Sequence, residues 1–313
     1  AMSVAMAFTT SHAAHRSKLV ASFPASGDES GARGPVRKKW ELDQKSQTGF
    51  SAINRMTACI LFEPNDLEIV KASPERRRRF INEELSGLNP AYRTALKNYE
   101  RIRQQRNALL KKIRQQRLSP EASEPFLTVW DTQLAEAAKA IFVERANYLI
   151  KLNREAKKIH RTLSGTDEVL SLDYQSNVFS DFKELKNIQQ IYLDKLISER
   201  AQDIDRGFTG SGPHADELVI KINGRPARQF ASQGQQRTAA ISLKLAHLEL
   251  YRESYGEMPV VLLDDILSEL DATRQENLLT ILSNTQSFIT CTDPSFADKI
   301  RPSGESQEIR TFH

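Results

Sequence analysis

The sequence lacks the GxxxxGK[ST] loop with which most triphosphate-binding folds cradle phosphate between backbone N–H groups and a lysine. By itself the chain is therefore expected to bind nucleotide weakly or not at all. Cysteine is scarce too. Cys59 and Cys291 are the two in 313 residues, each sits in an apolar run, and no CxxC or HxxxH spacing accompanies them. That excludes a four-ligand zinc site and a disulfide scaffold; both thiols are expected to be buried and reduced, as in a cytoplasmic protein. No apolar run approaches the roughly eighteen residues that cross a bilayer, and no basic head with an apolar core marks a secretory signal. The first residue is Ala1 rather than methionine, which fits either a tag remnant or an excised segment, and a missing upstream portion of the natural protein is one expectation.

What is present is length enough for two domains, or for one with a large insertion. The net charge of +4 is unevenly spread. Between Lys71 and Arg117 there are fourteen Lys/Arg against four Asp/Glu, a surplus a polyanion would feel, although a solvated helical arm would carry the same pattern.

Along the chain, Leu19 to Phe23 and Val36 to Leu42 read as strands around the Gly/Ser/Pro-rich connection Pro24 to Pro35. Thr57 to Phe62 is a short apolar strand, stopped by Glu63-Pro64-Asn65-Asp66, which is expected to cap a helix. Tyr92, Leu96, Tyr99, Ile102, Leu109 and Ile113 recur at helical spacing. After Ser119-Pro120 the pattern resumes with Leu127, Trp130, Leu134, Ala137 and Ile141, then shifts phase before Leu149, Leu152, Ala156, Ile159 and Leu163. Two such helices joined by a short turn are expected to pair antiparallel as an arm. A third helix carries Phe182, Leu185, Ile188, Tyr192 and Leu196. Leu218 to Ile222 alternates, Asn223-Gly224 turns it, and Ala227 to Phe230 is expected to return as a strand. Val260 to Leu263 has the texture of a parallel strand covered on both faces, and Ala272 to Leu282 with Phe288 to Thr292 completes a βαβ unit.

Three constellations carry chemistry. The strand Val260 to Leu263 ends in Asp264 and Asp265, two carboxylates at the edge where α/β sheets bind ligands; in ATPases such acids serve a magnesium ion and the attacking water. The same pattern also arises where a strand merely exits into solvent. Ser232-Gln233-Gly234-Gln235-Gln236-Arg237 opens a helix whose free N–H groups and partial positive charge suit a γ-phosphate, with Ser232 and Gln235 able to add side-chain hydrogen bonds; an ordinary N-cap by Ser232 is the other reading. Asp271, closing Ser268-Glu269-Leu270-Asp271, can cap the helix after it.

In this order the segments resemble the signature motif, Walker B strand and D-loop of the RecF family, bacterial recombination mediators of the ABC/SMC-type ATPase group. The resemblance continues in Phe62-Glu63-Pro64-Asn65-Asp66-Leu67, Ser73-Pro74-Glu75-Arg76-Arg77-Arg78-Arg79-Phe80, Gln105-Arg106-Asn107-Ala108-Leu109-Leu110-Lys111 and Gly212-Pro213-His214. It implies an α/β fold: an ABC-type ATPase head, here without its P-loop part, bearing an inserted helical lobe or antiparallel helical arm. Residues 1–88 would be the remnant of the ATPase lobe, 89–205 the helical lobe, and 206–313 the signature, Walker B, D-loop and closing βαβ. Met2 to Thr10 resembles the end of the helix that follows the family's P-loop, and Ala215 stands where the family usually has arginine.

The resemblance further implies an ATP-dependent homodimer that clamps double-stranded and gapped or single-stranded DNA in repair, replication restart and the SOS response, and loads RecA with RecO and RecR. The family is a weak DNA-stimulated ATPase, and this chain alone is expected to be inactive. Carried over, Ser232, Gly234 and Gln235 would contact the γ-phosphate of ATP across the dimer, Asp264 would hold Mg, Asp265 would serve the water and Asp271 the dimer seam. Arg76, Arg77, Arg78 and Arg79 are candidates for DNA contact, although at helical spacing they cannot all face one way. His214 is expected to be a satisfied turn residue rather than a base. A competing reading makes the chain a non-enzymatic interaction module that docks protein partners through its helical arm.

Overall fold

The computed structural model describes residues 59–290 in full and, by backbone, four strands before them. These are β1 (Met2–Thr9), β2 (Arg16–Phe23), β3 (Lys39–Leu42) and β4 (Lys45–Gln47), an antiparallel meander in that order. Met2–Thr9 pairs with Phe23–Arg16 and is a strand, not the helix end expected; its alternation of Val4, Met6 and Phe8 with Ser3, Ala5 and Ala7 has the period of an extended chain. The turn Pro24 to Pro35 and Cys291 lie outside the described residues.

β5 (Cys59–Phe62) runs into a 3-10 turn, Pro64–Val70, whose start is locked when Asp66 accepts the Glu63 N–H at 2.9 Å. Then follow α1 (Pro74–Leu88), capped by Ser73, α2 (Pro90–Arg114), capped by Asn89, and α3 (Pro120–Ser164), capped by Ser119. Each cap precedes a proline at the first helical position, where the missing N–H is no loss. α2 and α3 pack as the expected hairpin, and α3 continues to pack on three later helices and a strand. At 45 residues it is about 67 Å long.

The phase shift expected inside α3 does not occur. Its buried face runs unbroken through Leu134, Ala138, Ile141, Arg145, Leu149, Leu152, Ala156 and His160, and Arg145 fills the position at which an apolar count loses the pattern. α2 repeats this, with Arg106 seated between Ile102 and Leu110.

β6 (Leu170–Gln175), a 3-10 turn at Phe182–Asn187, α4 (Ile188–Ser198) and α5 (Arg200–Arg206) follow. β7 (Glu217–Ile222) pairs antiparallel with β6 and, through Asn223 and Gly224 in the left-handed region, with β8 (Arg225–Pro226). The return is two residues long, because Pro226 has no N–H for a ladder; the expected strand Ala227 to Phe230 is instead a helical turn, α6 (Ala227–Phe230), closed by the Ala231 N–H on the Ala227 carbonyl at 3.1 Å.

Last come α7 (Gln233–Tyr255), β9 (Val260–Asp264), α8 (Ala272–Ile281) and β10 (Ser287–Thr290). β5, β9 and β10 form a parallel sheet with β9 in the centre, as the βαβ reading required. One face, with Ile60, Phe62, Val261 and Leu263, belongs to a core that extends to Leu282. The other does not match the expectation of cover on both sides: Leu61, Leu262 and Phe288 lie side by side across the three strands, with Leu61 38% and Phe288 44% exposed. Cys59 shares that face and is exposed, contrary to its expected burial. Its thiol is raised above its ordinary value by desolvation and is no activated nucleophile. Among the described residues no helix is long and apolar enough to cross a membrane.

Candidate functional site

The start of α7 is a reciprocal cap. The Ser232 hydroxyl oxygen accepts the Gln235 N–H at 3.2 Å, and the Gln235 Oε1 accepts the Ser232 N–H at 2.8 Å. Ser232 and Gln233 are exposed, and the first-turn N–H groups of Gln233 and Gly234 have no acceptor within the helix. The Ser232 cap therefore leaves those two N–H groups without an intrahelical acceptor. Gln235 is engaged at both ends, because its Nε2 donates to Glu168 at 2.7 Å. Gln236, buried, donates to the carbonyls of Ala227 and Ala231 and ties α6 beneath the turn.

Two contacts join this turn to the segment around Asp271. Arg237 pairs with Glu269 at 2.5 Å. Arg274 Nη1 reaches Asp271 at 2.8 Å, and the same atom lies where a Cβ on Gly234 would meet it at 3.1 Å. Glycine at 234 gives the Arg274 guanidinium room against the turn that a Cβ would narrow by a few tenths of an ångström. Asp271 also accepts the Arg274 N–H at 2.9 Å as N-cap of α8.

The paired acids lie at the carboxyl edge of β9. Asp264 is exposed and accepts a hydrogen bond from the Thr290 hydroxyl at 2.8 Å. Asp265 adopts a left-handed φ of 51°, its N–H donates to the same Thr290 oxygen at 3.0 Å, and the Ser268 hydroxyl donates to its carbonyl. Its Oδ1 is buried without a hydrogen-bond partner among the described residues. A buried, unsatisfied carboxylate oxygen beside an exposed carboxylate suits a cation or a water that the protein alone does not supply. No group of three or more His, Cys, Asp or Glu among the described residues could hold a metal by itself. A magnesium ion held by one carboxylate and the phosphates of its nucleotide fits that limit. Thr290 was not singled out from the sequence. The signal was available, since a parallel neighbour of β9 sets Thr290 opposite Asp264.

The four arginines split. Arg77 is buried and makes two 2.8 Å bonds to Glu217 as well as one to the Ala72 carbonyl, leaving no open edge for a phosphate. Arg78 donates to the Asp216 carbonyl, exposed Arg79 pairs with Glu83, and Arg76 donates to the Asn65 carbonyl. α2 offers more free charge. Of its residues eight are basic and one, Glu100, is acidic, and Arg103 holds Glu100 at 2.6 Å. Its exposed positions include Lys97, Asn98, Arg101, Gln104, Gln105, Lys111 and Lys112, and no acid.

Behind these surfaces a polar core fixes the loop before β7. Arg145 donates to Tyr92, Asn82 and the Pro213 carbonyl, with Asp216 at 3.7 Å, and Tyr174 donates to Asp216. Gly212, at φ 135°, lies against Tyr192 and Tyr99, where a Cβ would come within 2.3 Å of the Tyr192 hydroxyl. His214 Nε2 is 3.0 Å from the Thr209 carbonyl, an acceptor only, so Nε2 carries the proton and Nδ1 accepts from the Tyr99 hydroxyl at 2.6 Å. As expected, His214 is a satisfied turn residue.

Burial, helped by Arg103, pushes the His214 pKa down to about 4. Above the unfolded value near 6.5 neither state holds the proton. Between there and about 4 only the unfolded chain binds it, so stability falls as pH drops through this window, by about 3 kcal/mol in all, and no further below it. Urea midpoints measured across pH 7.5 to 4 should show that loss. His214→Gln, which can accept from Tyr99 and donate to Thr209 without titrating, should flatten the wild-type curve by that amount.

No protein-family model matches the chain. It is 41% identical over 259 residues to the DNA replication and repair protein RecF of Halothermothrix orenii, covering 82% of this chain and 68% of that one. To RecF of Bacillus subtilis it is 39% identical over 257 residues, covering 82% and 69%. A solved structure of the recombination mediator protein RecF with ATP in the RecFOR pathway superposes with a TM-score of 0.75 at 32% identity, covering 90% of this chain and 72% of that one. The chain spans about two thirds of the length of these curated relatives.

Proposed function

Because the chain belongs to the RecF family, we propose that it is the signature-bearing and DNA-engaging part of an ATP-gated clamp, acting in the bacterial cytoplasm on gapped DNA in recombinational repair and replication restart, and promoting RecA loading with RecO and RecR. The observation that carries this reading is the turn at Ser232: an exposed hydroxyl and free N–H groups at the head of a 23-residue helix, tied by Arg237 and Arg274 to the segment that holds Asp271. An anion presented by a second subunit would meet hydroxyl, amide and helix-end charge at one place. Asp271, half capping and half paired, sits where that second subunit would press. Asp264 would hold the magnesium, which neutralises phosphate charge when bound. The unsatisfied oxygen of Asp265 would accept a hydrogen bond from, and so orient, a water.

For DNA, the reading rests on the outer face of α2 more than on the four arginines of α1. From Thr94 to Gln115 it is about 32 Å long, close to one turn of duplex, and mixes cations with amides, the donors that bond phosphate oxygens without reading sequence. Fluorescence anisotropy on a gapped duplex should give a log Kd that rises with log salt at a slope of about 4. Charge reversal of Lys97 and Arg101 should weaken binding at least tenfold on every sequence and lower that slope by about 2. A flat salt response, or an unchanged double variant, overturns the assignment.

One observation favours the protein-docking reading. Phe126 and Val129, in the first third of α3, are 63% and 53% exposed, and the turn between α2 and α3 borders a groove of about 510 Å³ lined by Ile113, Leu118 and Ile204. Capture of RecO or RecR by a chain that leaves DNA unshifted would sustain that reading over the clamp.

A further inference from the structure

His160, on the last turns of α3, is fully buried. Its Nδ1 lies 3.1 Å from the Ser242 hydroxyl, whose own proton is given to the Thr238 carbonyl at 2.7 Å. The Ser242 oxygen can therefore only accept, and Nδ1 must carry a proton. Nε2 then faces Glu168 Oε2 at 3.4 Å, and neither atom has another hydrogen-bond partner among the described residues. An imidazole lone pair and a carboxylate lone pair repel at that distance, and burial makes the repulsion costly. A proton shared by Nε2 and Oε2 would remove that repulsion and tie the two side chains together.

The same carboxyl group is committed on its other side. Glu168 Oε1 accepts from Gln235 Nε2 at 2.7 Å, and the orientation of that amide is not arbitrary, because Gln235 Oε1 accepts the Ser232 backbone N–H. Hydrogen bonds thus join Ser242 to His160 on one side and Glu168 to Gln235 and the cap at Ser232 on the other, and the 3.4 Å contact between His160 and Glu168 is the junction between them.

We propose that Glu168 is a positioning residue for the turn at Ser232: joined to His160 by a shared proton, it holds the Gln235 side chain in the cap that leaves the Ser232 hydroxyl and the Gln233 and Gly234 N–H groups facing outward. The significance of that turn rests on the clamp reading given above; the linkage itself does not. Nothing in the sequence marks Glu168, which lies in the loop between α3 and β6 and acts only through its neighbours.

Replacing Glu168 by glutamine puts an N–H where the shared proton lies and keeps an oxygen for Gln235; replacing it by alanine removes both. Amide hydrogen exchange, followed by NMR on the chain as it stands, reads the Ser232 N–H directly, with core amides of α7 and β9 as internal measures of global stability. The Ser232 amide should exchange at least tenfold faster in Glu168→Ala and within about twofold of wild type in Glu168→Gln, with the core amides unchanged in both. The proposal is overturned if Ser232 is equally protected in Glu168→Ala, or if Glu168→Gln matches Glu168→Ala, since charge and not a bridging proton would then be doing the holding. If the core amides of Glu168→Ala also exchange faster, the glutamine variant alone decides, by retaining or losing Ser232 protection. In a second arm the chain is mixed with an intact RecF subunit and ATP. Association should weaken at least tenfold in Glu168→Ala and not in Glu168→Gln. Failure of the wild-type chain to associate would count against the clamp reading and leave the exchange result to judge Glu168.

Discussion

Replacing Arg106 with alanine is expected to destabilise the chain by about 3–5 kcal/mol, a large share of what holds a domain of this size together. Arg106 is fully buried, and its guanidinium spans two carboxylates at 2.6 Å each, Asp131 on α3 and Asp203 on α5, while also donating to Thr209. Asp131 would keep a second partner, since Arg200 reaches its other oxygen at 2.7 Å. Asp203 would not. Burial already raises its pKa against the pull of Arg106, and without that pull the carboxyl must either take up a proton or remain charged in a dry site. Lysine is no substitute, because one ammonium cannot span carboxylates on two helices. The check is a urea titration at pH 7, where the midpoint of Arg106→Ala should fall steeply while Arg79→Ala, at an exposed i,i+4 pair, changes little. A loss below about 1 kcal/mol for Arg106→Ala would mean that the pair is solvated.

Ser232→Arg is expected to weaken ATP-dependent association with a P-loop-bearing subunit by a hundredfold or more. The substitution removes the oxygen that accepts the Gln235 N–H, which costs about 1 kcal/mol by itself, and it fills the approach to the helix end with a long side chain. Ser232→Ala separates the two effects: it loses the cap and the hydroxyl but leaves the entrance clear, so its loss should stay near tenfold. Sedimentation of the mixture with and without ATP reads both variants. Should Ser232→Arg associate as well as the wild type, the turn does not lie at the seam and the clamp reading loses its basis.

The sequence was legible wherever apolar spacing alone decides structure. The alternation in Glu217–Ile222, the turn at Asn223-Gly224, the cap at Ser232 and the apolar strand that ends in Asp264 are local signals, and each element forms where that signal stands. Arg145 and Arg106 defeat the same method. They occupy core positions whose partners, Asp216 and Asp203, are contributed from far along the chain, and no window of neighbouring residues reveals such a pairing. Cys59 misled for a related reason. An apolar strand reports that it prefers burial, not whether anything covers its second face. Of the candidate site, the residues that face outward could be read from motif and spacing. Of those that hold them in place, Thr290 could be reached only by pairing the parallel strands, and Arg274 and Glu168 not at all, since they act through side-chain contacts between separate segments.

The unbroken length of α3 has a mechanical consequence. A 45-residue helix cannot shorten, and the hairpin grips it at one end while His160 is sealed into the core near the other. A rod of about 67 Å that pivots by roughly three degrees around its midpoint displaces each tip by about 2 Å, in opposite directions. If a load on the hairpin tip pivoted the rod in this way, it would arrive with reversed sense at the end of α3 that packs on α7.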